Sequence, residues 1–138
     1  MASLIYNSFW DDVIRGLIDV DAVTVRVMLT TSAYTENKDT HAKRSDVTNE
    51  VSGAGYTGGG ATAAVTVTKD TANDRVDIAL GQVSWPASTI TARKAVYYVS
   101  RGGAASADEL IAVNDFGSDV VSSGGTFTLD ASTIHLQN

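Results

Sequence analysis

The sequence predicts an all-β protein: a single domain of β-sandwich or jelly-roll type, with about eight strands and one short N-terminal helix. Three observations carry that expectation. Val, Thr, Ala, Ser and Gly dominate the 138 residues, and proline occurs once, at Pro86. Several short stretches alternate apolar and polar residues, which is the period of a half-buried strand. Gly, Ser, Asn and Asp separate those stretches at the spacing of turns. A chain of this length fits one domain, residues 1–138, and buries a core without help from metals or crosslinks.

The helix signal is confined to residues 8–19, inside an N-terminal arm spanning residues 1–21. Phe9, Val13 and Leu17 recur at helical spacing, with Trp10 and Ile14 beside them. Ser8 is placed to cap the first turn, and Asp11 and Asp12 suit the positive end of the helix dipole. Gly16 weakens the segment, so the helix is expected to be short. Residues 23–31 then alternate: Val23, Val25, Val27 and Leu29 face one way, and Thr24, Arg26, Met28 and Thr30 the other. Residues 32–46 form a long polar loop, expected to order only against a partner.

Residues 63–68 and 75–80 read as a hairpin around a turn at 69–74. Residues 82–85 form a short strand that Pro86 ends or places at an edge. Residues 92–100 are the most strand-like stretch, and 109–114 form another apolar strand. Residues 116–125 are loop-like, with room for a strand around Val120, and 126–129 and 133–136 close the chain as two short strands.

Composition narrows the function classes. Without cysteine there is no disulfide framework and no thiolate chemistry. No secretory signal is expected, and no stretch approaches the ~18 apolar residues of a membrane span. A net charge of −6 disfavours phosphate-backbone binding, so neither nucleic acid nor membrane is an expected partner. Gly53, Gly55 and Gly58 spell Gly-x-Gly-x-x-Gly, but no Gly-Lys-Ser/Thr ending follows and a β-prone stretch comes next. The glycines read as a structural connection with Tyr56 packing down.

His41 and His135 stand in no metal-binding spacing, and no Gly-x-Ser-x-Gly elbow is present. The acidic pairs Asp11–Asp12, Asp70–Asp74 and Asp108–Glu109 are explained by a helix start, a turn and a loop. No catalytic, cofactor or metal residue is assigned, and the chain reads as non-enzymatic. A glycan-active enzyme with an unseen carboxylate pair is the enzymatic alternative. The contact candidates are Trp10 and Ile14 on the helix, Tyr34, Lys38, His41, Lys43 and Arg44 in the loop, and Tyr56. Aromatic anchors recur at interfaces, and the basic run at 38–44 suits an acidic neighbour.

Longer motifs add a resemblance. Residues 27–46 read Val-Met-Leu-Thr-Thr-Ser-Ala-Tyr-Thr-Glu-Asn-Lys-Asp-Thr-His-Ala-Lys-Arg-Ser-Asp, and Asn49 opens Asn-Glu-Val-Ser-Gly-Ala-Gly-Tyr-Thr-Gly-Gly. Downstream come Trp85, Ser-Thr-Ile-Thr-Ala-Arg at 88–93, and Asp-Phe-Gly from Asp115. From about Ile5 to the C-terminus, this pattern resembles a family of small virion structural proteins of tailed bacteriophages. The resemblance implies a decoration or cement protein that binds the outside of the capsid shell and stabilises it. It would be made in the bacterial host cytoplasm and end in the virion. Its implied partners are the phage major capsid protein and further copies of itself, as a homodimer or homotrimer. A tail, neck or fibre-base protein is the alternative. The resemblance brings no catalytic residues. It marks Tyr34, Asn49, Glu50, Gly53, Gly55, Tyr56, Gly59, Trp85, Arg93 and Phe116 as fold-defining.

Overall fold

The computed structural model describes residues 3–137. Among them the chain forms β1 (Leu4–Ile5), α1 (Asn7–Ile14), β2 (Thr24–Thr30), β3 (Ala61–Ala63), β4 (Val65–Asp70), β5 (Arg75–Leu80), β6 (Val83–Ser100), β7 (Leu110–Leu129) and β8 (Ser132–Gln137). The fold is all-β with one short helix. Five strands form one sheet in the order β1-β7-β6-β2-β3, and three form a second in the order β4-β5-β8. Every pairing is antiparallel.

Two seams lie between the sheets, and they differ. β3 and β4 are edge strands separated only by Ala64, whose carbonyl accepts the Gly81 N–H at 2.8 Å, so one seam is bridged by continuous chain. The opposite edges, β1 and β8, share no ladder.

The core explains the strand patterns. Val25, Val27 and Leu29 of β2 join Tyr97 and Val99 of β6, Ile111 of β7 and Ile78, Leu80 and Ile134 of the small sheet in one buried cluster. A second cluster covers the other face of the large sheet: Tyr6, Met28, Tyr34, Val96, Tyr98, Leu110 and Val113. Met28 and Thr30, assigned by alternation to the polar face, are therefore buried. The unbroken apolar runs at 95–99 and 110–113 have the composition of strands covered on both faces.

Several expectations need correction. α1 is capped at Tyr6 without a side-chain hydrogen bond; Ser8 lies inside the helix, and Asp11 and Asp12 fall outside its first turn. The helix stops at Gly16, whose φ of 77° is costly for a residue with a Cβ. Gly16 N–H bonds the Val13 carbonyl and Leu17 N–H the Asp12 carbonyl, which is a Schellman ending.

The stretches at 82–85 and 92–100 are one strand, β6. Residues 116–125 lie within β7, where Val120 to Gly125 run opposite Ser88–Ala92 and Asp115 lies opposite Lys94. Tertiary pairing overrides weak local propensity here. Pro86 sits inside β6 at a bulge between Trp85 and Ser88, where no ladder N–H is needed. The hairpin of β4 and β5 forms as the sequence predicts, with Val65 opposite Leu80 and Asp70 opposite Arg75.

Candidate interaction surface

The loop at 32–46 is anchored to its own domain. Its anchor is Tyr34, buried under the second cluster. The Tyr34 hydroxyl lies 2.7 Å from the Tyr6 hydroxyl and 2.9 Å from His41 Nδ1. The Asn37 N–H also donates to His41 Nδ1, at 3.3 Å. That nitrogen is therefore the acceptor, so Tyr34 donates to His41 and accepts from Tyr6. Burial pushes the Tyr34 hydroxyl up to about 12, which keeps it a donor. Burial raises the Tyr6 hydroxyl further still.

Charged groups complete the anchoring. Lys94 of β6 donates to the Tyr34 carbonyl at 2.8 Å and pairs with Glu36. Asp46 accepts the Ala42 and Lys43 N–H groups, each at 2.9 Å, and these hold its carboxyl below the usual aspartate range. Arg44 Nε reaches the buried Asp108 carboxylate at 2.8 Å, and its guanidinium lies 5.1 Å from the Tyr98 ring centroid. The expectation that this loop orders only against a partner is corrected: the hydrophobic second face of the large sheet supplies the surface it orders on.

The Asn49–Gly60 segment is seated differently. Glu50 accepts from the Tyr56 hydroxyl and the Gly59 N–H, both at 2.7 Å. Tyr56 in turn accepts the Leu29 N–H at 3.0 Å, and the Gly59 carbonyl accepts the Tyr98 hydroxyl at 2.6 Å. A Cβ at Gly60 would stand 1.7 Å from the Val27 carbonyl oxygen, and one at Gly53 2.3 Å from the Thr89 carbonyl oxygen. Gly55 lies against the Ala87 carbonyl in the same way. The segment is a brace pressed on β2 and β6 by backbone contact. Gly60, the last glycine of the stretch, is its tightest point. The run Gly58-Gly59-Gly60 ahead of a strand is the signal in the sequence.

The remaining marked residues are also structural. Trp85 is buried between Tyr56 and Phe127, with ring centroids 6.0 Å from each. Phe116 packs on Phe127 at 6.3 Å. Arg93 bonds Asp115 at 3.0 Å; burial works against the Asp115 carboxylate, but the Gly117 N–H and Arg93 outweigh it and its carboxyl titrates below the usual range.

Of the eight contact candidates, Tyr34 is corrected to a core residue. Trp10 is half-buried against Phe9, with centroids 4.9 Å apart. Tyr56, His41, Lys43 and Arg44 are half-buried within the anchored segments. Lys38 is exposed, and Ile14, at 83% exposure, is joined by Leu17 at 59%. The structure brings the two contact regions together: Asn7, at the start of α1, donates its N–H to the Lys38 carbonyl at 3.1 Å and its side-chain amide to Asp39 at 2.6 Å. Helix and loop tip therefore form one continuous surface. Among the described residues, no three His, Cys, Asp or Glu side chains cluster as metal ligands would. No known protein family, curated protein or solved structure matches the chain.

Proposed function

We propose that this protein is a non-enzymatic structural component of a tailed-phage particle, which binds the outside of the capsid shell and stabilises it. One observation carries the reading. The residues that give the chain its phage-like pattern, Asn49 to Gly60 with Trp85, Arg93 and Phe116, build an internally bonded brace and core. A pattern used for scaffold is what a protein needs when its task is to present a rigid surface many times over on a symmetric shell, where modest contacts multiply.

The surface offered is the α1 and loop-tip region, with Ile14, Leu17 and Lys38 outermost. Its partners are the major capsid protein and neighbouring copies of this chain. The test is to strip the protein from particles and challenge them with heat and osmotic shock. Lower survival, restored by adding the protein back, supports the proposal. Unchanged survival, or a copy number matching a tail or neck ring instead of the shell, refutes it.

A further inference from the structure

The open seam between β1 and β8 holds a groove of about 590 Å³, within the size range of ligand sites. Its apolar lining comes from Leu4, Ile5, Leu80, Tyr97, Ala112 and Ile134, so it reaches from both sheets into the core. Its two walls are strand edges, β1 being outermost in one sheet and β8 outermost in the other. β1 covers only Val113 and Ala112 of β7, leaving a short wall.

A polar group also lies buried just beneath the groove floor. Tyr97 is 1% exposed, and its hydroxyl has no hydrogen-bond partner among the described residues. Ser132, at the β8 lip, stands close enough to ease the rise that burial imposes on that hydroxyl, but no hydrogen bond of sound geometry joins them. A buried hydroxyl left unmet costs about 1–3 kcal/mol, so it marks a place where an incoming acceptor is favoured. Among the described residues of the lining, His135 is the one ionisable group besides Tyr97, in a chain of net charge −6.

We propose that this groove is a strand-acceptor site, which takes an extended, uncharged peptide segment of a partner protein between β8 and β1. The two free edges would supply main-chain hydrogen bonds, the apolar floor would take alternate side chains, and a main-chain carbonyl of the insert would meet the Tyr97 hydroxyl. A charged insert is disfavoured by the same chemistry, because the one ionisable side chain at the lip, His135, is already paired with Asp77 at 2.6 Å. The inference is independent of the capsid reading.

The test selects random short peptides on the intact protein and maps the winners by amide hydrogen exchange. The expected result is enrichment of sequences alternating apolar and polar residues without Asp, Glu, Lys or Arg, with new protection at Ile5 and at those amides of Ser132 to His135 that point away from β5. Thr133→Glu adds a charge at an exposed lip position, so folding is retained while affinity falls by about tenfold or more. Tyr97→Phe weakens binding by about threefold to tenfold and leaves the protection pattern in place. Failure to enrich such peptides, or enriched peptides that leave β1 and β8 unprotected, overturns the proposal. So does decyl maltoside filling the groove in competition with them without protecting those amides, since the groove would then be a small-molecule site.

Discussion

The connections on either side of Val47 differ in composition, one rich in charge and the other in glycine, and they are held by different means. Residues 32–46 are fastened by side chains: Tyr34 under the sheet, Lys94 on Glu36, Asp46 on two backbone N–H groups. Residues 49–60 are fastened by backbone approach, with glycines at the points where the chain meets the carbonyls of Val27, Ala87 and Thr89. A side-chain fastening can be weakened by degrees, through one hydrogen bond or one charge. A backbone fastening tolerates no added carbon. In each segment the residues that fix it in place, Tyr34 in one and Gly53, Gly55 and Gly60 in the other, are written into its own sequence.

That contrast is broken most severely at Gly60. Gly60→Ala forces a Cβ into the Val27 carbonyl at a φ of 75°, and should cost about 4 kcal/mol or more, seen as a large drop in denaturation midpoint. The strongest single break on the other side is Glu36→Ala, which strands the nearly buried Lys94 ammonium. It should cost about 3 kcal/mol, and the double variant Glu36→Leu/Lys94→Met should recover part of it. Equal losses in the single and double variants would mean that the ion pair is not what fastens the loop.

Tyr34→Phe removes one hydroxyl from the Tyr6–Tyr34–His41 chain and should cost about 1–2 kcal/mol, with faster amide exchange confined to the loop. Asp46 provides a pH arm. Its folded carboxyl is lowered by the Ala42 and Lys43 N–H groups, so its contribution is full above the unfolded value of about 3.9 and is lost as pH falls through the lowered folded value. Asp46→Asn should lower stability at neutral pH and flatten that acid limb in a denaturation series. Ile14→Ser touches neither fastening and should change stability by no more than about 0.5 kcal/mol, while reducing retention on particles under the proposed capsid role.

Much of this architecture is legible in the sequence, for identifiable reasons. Alternation at Val25, Val27 and Leu29 and in the β4–β5 hairpin follows from one buried face, and the strands form there. The second face was hidden because alternation assigns Met28 outward; the run from Ala95 to Val99 was the sign that something covers it. Tyr34 gave no local signal, since a single aromatic in a polar loop has no period. Ser122, Ser123 and Gly124 read as loop because their place in β7 depends on pairing with β6, thirty or more residues away in the chain. The open seam was illegible for the same reason: it depends on which strands become edges.

The central claim is that both segments are ordered parts of the isolated protein. Amide hydrogen exchange on the free protein tests it most directly. The Val51 and Gly60 amides of the brace and the His41 and Arg44 amides of the loop are bonded within the chain, to Leu29, Thr57, Asn37 and Asp108. All four should be protected before any partner is added, with the loop pair opening first on Tyr34→Phe. Free exchange at His41 and Arg44 that slows only when a partner is added would contradict the claim.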